Sequence, residues 1–397
     1  MKKAAVWLTL LMLLAFVVIP IGLSAPEEFV IQDGVLIAYN GKAKDVVIPE
    51  GVTAVGEDAF FKSEGKFTNV KTISLPNSLA NFLGWYVITC ANLQEYRVNS
   101  DNPYFTVQDG ILFNKDMTQL ISFPFGLKKK SYTVPEGVTS IAENGLTAVM
   151  LTSVILPESL VSIGDDGFTL SKALKSVNLP QGLTDIGLRA FNGCDGVTEI
   201  TIPAGVQTIG DGACSGMLKL KAIHVDEANQ RFYIDDGALV ERETGRLISY
   251  PSADKRTEFV IPDGIVTVGN YAFKHADKLK KITVPGSVTD IGISAFGNCK
   301  LLAEIVLSKG LKNIGNKAFY ICPKMKDLVI PDGVVTLGSD LFYGSTAVNS
   351  VTIPPSVTNI SDNNFSKAVL RVVENSYAYL YALENAFRFE LYQPSGD

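Results

Sequence analysis

Residues 282–296 read Ile-Thr-Val-Pro-Gly-Ser-Val-Thr-Asp-Ile-Gly-Ile-Ser-Ala-Phe, and residues 305–319 read Ile-Val-Leu-Ser-Lys-Gly-Leu-Lys-Asn-Ile-Gly-Asn-Lys-Ala-Phe. Ile282 and Val284 alternate with Thr283, as a short half-buried strand does. Pro285 removes a ladder donor and ends the strand, and Ser287 turns the chain. Val288 and Ile291 then return as inward anchors, Gly292 follows, and Phe296 closes the line as an aromatic plug. The same line is set on Pro157, Pro180 and Pro203, and on Pro262, Pro285, Ser308 (in the proline place), Pro331 and Pro354, and the step from one to the next never varies within either run. Pro49, Pro76 and Pro135 bring the number of units to eleven.

A unit of this size cannot bury its own apolar face, but stacked copies share a continuous core in which each touches its neighbours. The expected fold is an α/β solenoid of about 23-residue units. Parallel short strands line a concave face at about 4.8 Å per step, and short helical or irregular turns carry the phenylalanines on the convex side. The intervals from Pro76 to Pro135 and from Pro203 to Pro262 are longer than one step and equal to each other, and the two blocks align with a constant offset of 127. Asn102, Phe105, Asp109-Gly110, Leu112 and Pro124 match Asn229, Phe232, Asp236-Gly237, Leu239 and Pro251. Asp-Gly between extended apolar segments favours a tight turn, so a β-hairpin is expected in each block, near 99–124 and 226–251. A shortened copy, Val30 to Leu36, precedes the first unit. The domain reading is a secretory signal over 1–25, an N-terminal cap over 26–48, the solenoid over 49–369, and a helix-strand cap over 370–397.

The line V-x-I-P-x-G-V-x-x-I-G-x-x-A-F (Ile200 to Ala213 with Cys214 last, and Ile282 to Phe296), the Asp-Gly hairpins and the ending Asn375-Ser376-Tyr377-Ala378 with Tyr381, Ala382 and Asn385 resemble one known family. It is the BspA-type leucine-rich repeats of bacterial surface and secreted proteins, and the resemblance covers nearly all of residues 29–392. It implies a right-handed curved superhelix and export to the cell surface or beyond. In some members it implies binding of host proteins such as fibronectin, or attachment to other cells. It supplies no catalytic residues, and no wall anchor or partner domain is expected after Asp397.

With 47% hydrophobic and 19% charged residues the chain is built to bury surface, which excludes a disordered or collagen-like chain. A net charge of −6 gives no pull toward phosphate backbones, so nucleic acid is not an expected partner. Lys2 and Lys3 precede an uncharged apolar run from Ala4 to Leu23, and Leu23-Ser24-Ala25 offers small residues to a signal peptidase. An uncleaved anchor is the rival reading of that run.

Cys90, Cys194, Cys299 and Cys322 share a column fourteen places past the proline, where other units carry Ser or Ala. The column reads as small buried side chains, with Cys299 and Cys322 as the pair a disulfide could join. His224 and His275 read as surface or capping residues. No hydrolase elbow, metalloprotease helix, phosphate loop or EF-hand loop is present, so no enzyme activity and no cofactor or metal is expected. Candidate binding residues are the outward strand acids Glu199, Glu258, Glu304 and Asp327, which would favour a basic or cation-bridged partner. Trp85-Tyr86 in the most irregular unit, and Tyr104 and Tyr233 on the hairpins, complete the set. The expected function is extracellular recognition or adhesion, toward a host or matrix protein or a glycan. A self-assembling envelope or matrix protein is the alternative, and a glycan-active enzyme with paired carboxylates about 5–10 Å apart is a second.

Overall fold

The computed structural model describes residues 28–61, 69–362, 365 and 367–394; the expected signal segment lies outside them. Among the described residues the chain is a β-solenoid of about fifteen turns, roughly 23 residues apart. Each turn of the solenoid opens with a strand of two to four residues ending near the proline place. Lys281–Val284 pairs in parallel with Glu304–Leu307, Lys281 opposite Glu304 and Ile282 opposite Ile305, so the repeat period is itself the register. Ile282 and Val284 are buried while Lys281 and Thr283 look outward.

The inward anchors form a second ladder. Asp290–Ile291, Asn313–Ile314, Thr336–Leu337 and Asn359–Ile360 pair in parallel one after another. Two residues between a turn and a glycine are too short to show a period, which is why this ladder is invisible in the pattern.

The turns carrying the phenylalanines are not helical. One 3-10 turn, Gly84–Val87, and one α-helix, Tyr377–Glu384, are the helical elements among the described residues. Of the short helical or irregular turns expected there, the irregular form is the one found, with two left-handed corners in each regular coil from Pro135 to Pro331. Nine places past the proline stand Asn144, Asp166, Arg189, Tyr271, Ser294, Lys317 and Asp340, with φ between 49° and 61°. Thirteen past it stand Ala148, Leu170, His275, Asn298 and Ile321, with φ between 51° and 64°. A right-handed helix cannot pass through such corners. They aim alternate amides along the stack instead: Asp166, Phe168 and Leu170 donate to the carbonyls of Leu188, Ala190 and Asn192 in the next coil, at 2.7–2.8 Å. Inside this third ladder the plugs Phe273, Phe296, Phe319 and Phe342 stack with centroids 5.3, 5.8 and 5.7 Å apart.

Eleven units undercount the coils. Asn99 and Asp226 stand one full period after Pro76 and Pro203, in the proline place of two further coils. Their strands Glu95–Arg97 and Ala222–Val225 pair in register with the coil before. The hairpins Phe105–Gln108 with Ile111–Asn114, and Phe232–Asp235 with Ala238–Glu241, branch from these coils. A third strand, Gln119–Ser122 or Arg246–Ser249, then takes the second-ladder place against Ser140–Ile141 or Thr267–Val268. Buried Asn102 and Asn229 hold each branch point. Asn229 Nδ2 donates to the Pro203 carbonyl at 2.7 Å, and its Oδ1 accepts from the Arg231 and Phe232 amides at 2.8 Å; Asn102 repeats this on Pro76, Tyr104 and Phe105.

The hairpin coils are also shorter on the turn side. Tyr250 takes the plug place, donating its amide to Ala272 O at 2.7 Å and stacking on Phe273 at 5.0 Å. It stands three places after Leu247, whereas Phe273 stands five places after Val268, the partner of Leu247. The shortened N-terminal copy is a real hairpin, Phe29–Gln32 with Val35–Tyr39, and it seats on Ala54–Val55. The core accordingly falls into three apolar clusters, each beginning at a hairpin. At the far end Ser376 Oγ caps the helix by accepting from the Tyr379 amide at 3.2 Å, and Phe389–Leu391 adds a last parallel strand.

Candidate binding surface

The outward residues of the longer strands form two rows on one face. In the first row Glu199 is exposed with its carboxylate 3.7 Å from His224 Nε2, and Glu258 is exposed. Lys281 Nζ lies 2.6 Å from Glu304, and Asp327 accepts from Ser350 Oγ at 2.7 Å. The rung order is Glu199, Ala222, Glu258, Lys281, Glu304, Asp327, so Ala222 and Lys281 interrupt the acids. Ala222 and a further acid, Glu95, sit in the two hairpin coils, which the proline rhythm skips; Glu95 is already bonded to Arg97.

The second row has a different character. Val47, Ile155, Val260 and Val329 are each more than 60% exposed. A solvated sheet face built on Thr and Ser does not need such apolar exposure. Beside Val329 a groove of about 420 Å³ runs between Leu307, Pro331, Pro354, Pro355 and Tyr392, and the Tyr392 hydroxyl donates to Ile353 O at 3.4 Å.

The aromatic candidates are not brought onto this face. Trp85 and Tyr86 lie in the 3-10 turn on the turn side, where Val87, fully buried, takes the plug place. Trp85 is half exposed, and Tyr86 meets Phe82 edge-on at 6.0 Å. Tyr104 is exposed on the first hairpin, edge-on to Phe105. Its counterpart Tyr233 is half-buried beneath the Arg242 guanidinium, 4.8 Å from the ring centroid.

All five cysteines are buried free thiols. Cys194, Cys299 and Cys322 donate from Sγ to the carbonyls of Phe168, Phe273 and Phe296, all at 3.1 Å, and Ser345 does the same to Phe319 at 2.6 Å. Small volume is common to the whole column, and these Cys and Ser members add a side-chain hydrogen bond along the stack that the Ala members lack. Burial pushes Cys90 and Cys214 up to about 12, and Cys194 upward too; Cys299 rises first through its bond with Cys322, then through burial. Thiols held protonated are poor nucleophiles and poor metal ligands. His224 is exposed as expected, whereas His275 is half-buried, its pKa lowered by burial, and its Nδ1 has no hydrogen-bond partner. Among the described residues no three His, Cys, Asp or Glu side chains group as metal ligands, and no helix is long and apolar enough to cross a membrane.

The family model described as the BspA type leucine rich repeat region matches residues 37–129, 122–235 and 250–371, in six copies. A leucine-rich cell surface protein from Faecalibacterium prausnitzii shares 22% identity at a TM-score of 0.51, covering 85% of this chain and 93% of its own. A leucine-rich repeat protein from Eubacterium ventriosum shares 26% identity at 0.58, covering 74% and 78%. The pneumococcal vaccine antigen PcpA shares 19% at 0.56, covering 92% and 96%. No curated protein matches the chain.

Proposed function

The chain belongs to the BspA-type leucine-rich-repeat family, and from that premise we propose that it is a non-enzymatic, exported recognition protein that binds a partner protein on its longer-strand face. The observation that carries this reading is the row Val260, Thr283, Val306 and Val329, three exposed valines around one threonine, running beside Glu258, Lys281, Glu304 and Asp327. Apolar side chains rimmed by charge are what a protein partner buries and water does not reward. The charges in this stretch, three acids against one lysine, sum to −2, which favours a partner offering apolar and basic groups together. The Sec-type leader read from residues 1–25 and the cell-surface description of the Faecalibacterium relative support a place outside the cytoplasm.

The test is a binding screen of the purified chain against extracellular-matrix proteins and a glycan array, with light scattering on the same sample. A saturable protein hit that weakens at least ~10-fold in Val260→Lys, Val329→Lys supports the reading, since about 1.4 kcal/mol of interface energy is one decade. A hit on glycans alone, a protein hit indifferent to both substitutions, or silence with concentration-dependent self-association overturns it.

A further inference from the structure

We propose that the groove around Trp85, on the turn side and away from the longer-strand face, is a receptor for an arginine side chain of a partner protein. The groove exists because of the first hairpin. Its coil has two turn residues fewer than a regular coil, so on the turn side the coil of Trp85 comes directly against the coil of Asn144. Gly84 makes the floor: a Cβ there would lie 2.9 Å from Asn144 O and 3.0 Å from Ser122 Oγ. The resulting space, about 460 Å³, is lined by Leu83, Trp85, Tyr86, Glu57, Glu143 and Asn144 among others, with the pair of Asp166 and Arg189 at its edge.

The second hairpin supplies an internal comparison. With the offset of 127, Gly84, Trp85, Gln119, Glu143 and Asn144 correspond to Asp211, Gly212, Arg246, Asn270 and Tyr271. Each notch thus carries an acid and an aromatic ring, placed on opposite lips in the two copies. In the second, the cation is built in: Arg246 Nη1 lies 2.6 Å from Asp211, Asn270 donates to the same carboxylate at 2.6 Å, and the Tyr271 ring lies over Gly212. In the first, Gln119 stands where Arg246 stands, and among the described residues the one cation lining the notch, Arg189, is held at its edge by Asp166.

Among the described residues the other two acids, Glu57 and Glu143, have no cation beside them, Glu143 accepting from the Asn144 side-chain amide at 3.4 Å. Asp166 at the edge is taken by Arg189, Nε to Oδ1 at 3.0 Å. Among the described residues neither Glu57 nor Glu143 is in an ion pair. Glu57 belongs to the coil before Trp85 and Glu143 to the second coil after it, about 14 Å apart along the stack by rung spacing. The Tyr86 phenol is raised by burial and then by both carboxylates, so their fields meet inside the groove. A planar guanidinium stacked on the half-exposed indole reaches acceptors on both sides, which a compact ammonium does less well.

Trp7 and Trp85 are the two tryptophans, so the full chain carrying Trp7→Phe reports on this groove by fluorescence. Tri-arginine, titrated at low salt, is expected to quench Trp85 saturably, tri-lysine more weakly, and Glu57→Gln, Glu143→Gln to weaken tri-arginine at least ~10-fold with unchanged thermal unfolding. Quenching that does not saturate, or that the double substitution leaves intact, overturns the proposal. So does a response to chitotriose without one to tri-arginine, which assigns the groove to glycan. Quenching that appears only with Lys62→Ala, Lys66→Ala assigns it to the chain's own segment and likewise overturns it. Val260→Lys, Val329→Lys leaves this titration unchanged, so the two sites fail separately.

Discussion

The plug stack gives the sharpest quantitative test of how the molecule is held together, and Phe296→Ala is its cleanest perturbation. Phe296 is completely buried, with its ring 5.3 Å from Phe273 and 5.8 Å from Phe319, the latter pair 5° from parallel. Emptying a buried phenylalanine site costs about 3–5 kcal/mol, and two stacked neighbours place this one in the upper half, at about 4 kcal/mol. Because each coil touches its neighbours, and the core from Ala238 to Ala382 is one apolar cluster, the loss should be felt mainly within that block. Amide hydrogen exchange on native protein resolves this. Protection of residues 262–360 should fall about 10³-fold, the equivalent of about 4 kcal/mol, while residues 105–209 fall less than about 10-fold. An equal loss in both blocks would refute the division at the second hairpin. A loss under about 2 kcal/mol, below the span for emptying such a site, would refute the claim that the plugs carry the turn side.

Three further outcomes follow from single residues. Cys90 and Cys214 are held near 12 in the folded chain but at about 8.5 once unfolded, so the unfolded state releases their protons first. Stability is fully present below about pH 8.5 and falls toward about pH 12 by about 1.4 kcal/mol per pH unit for each thiol; urea unfolding at pH 8 and 10 should show this slope, reduced in Cys214→Ala. Lys317 is exposed at φ 58°, so Lys317→Gly should raise stability by about 0.5–1 kcal/mol after glycine's own entropy is counted, read as a higher thermal midpoint. Asn229→Ala strips four hydrogen bonds, three of them buried, from the second hairpin and should cost about 2–3 kcal/mol, with exchange of residues 232–241 rising before the rest of the block; uniform exchange would count against the branch-point role.

What is legible in the sequence follows from where its repeats write the same residue and where they write only the same geometry. The first strands can be read because Pro285 and its equivalents punctuate an alternating pattern. The coils at Asn99 and Asp226 escape that reading because a polar residue ends the strand there, and with them go Glu95 and Ala222, which alter the charged row. The left-handed corners leave no letter at all: Tyr271, Ile321 and Lys317 share a backbone conformation and nothing else, since the amides directed at the next coil are indifferent to side chain. The pattern therefore leaves helical and irregular turns equally open on that side. The Trp85 groove lies between these cases. Trp85 is visible as an oddity, but Glu57 and Glu143 are ordinary surface acids until the coil between them loses two turn residues. The signal that finds it is the long-range duplication itself. Superposing the blocks sets Gln119 on Arg246 and Trp85 on Gly212, and a notch that keeps its acid and aromatic while losing the cation built in between them is one with room for a cation from elsewhere.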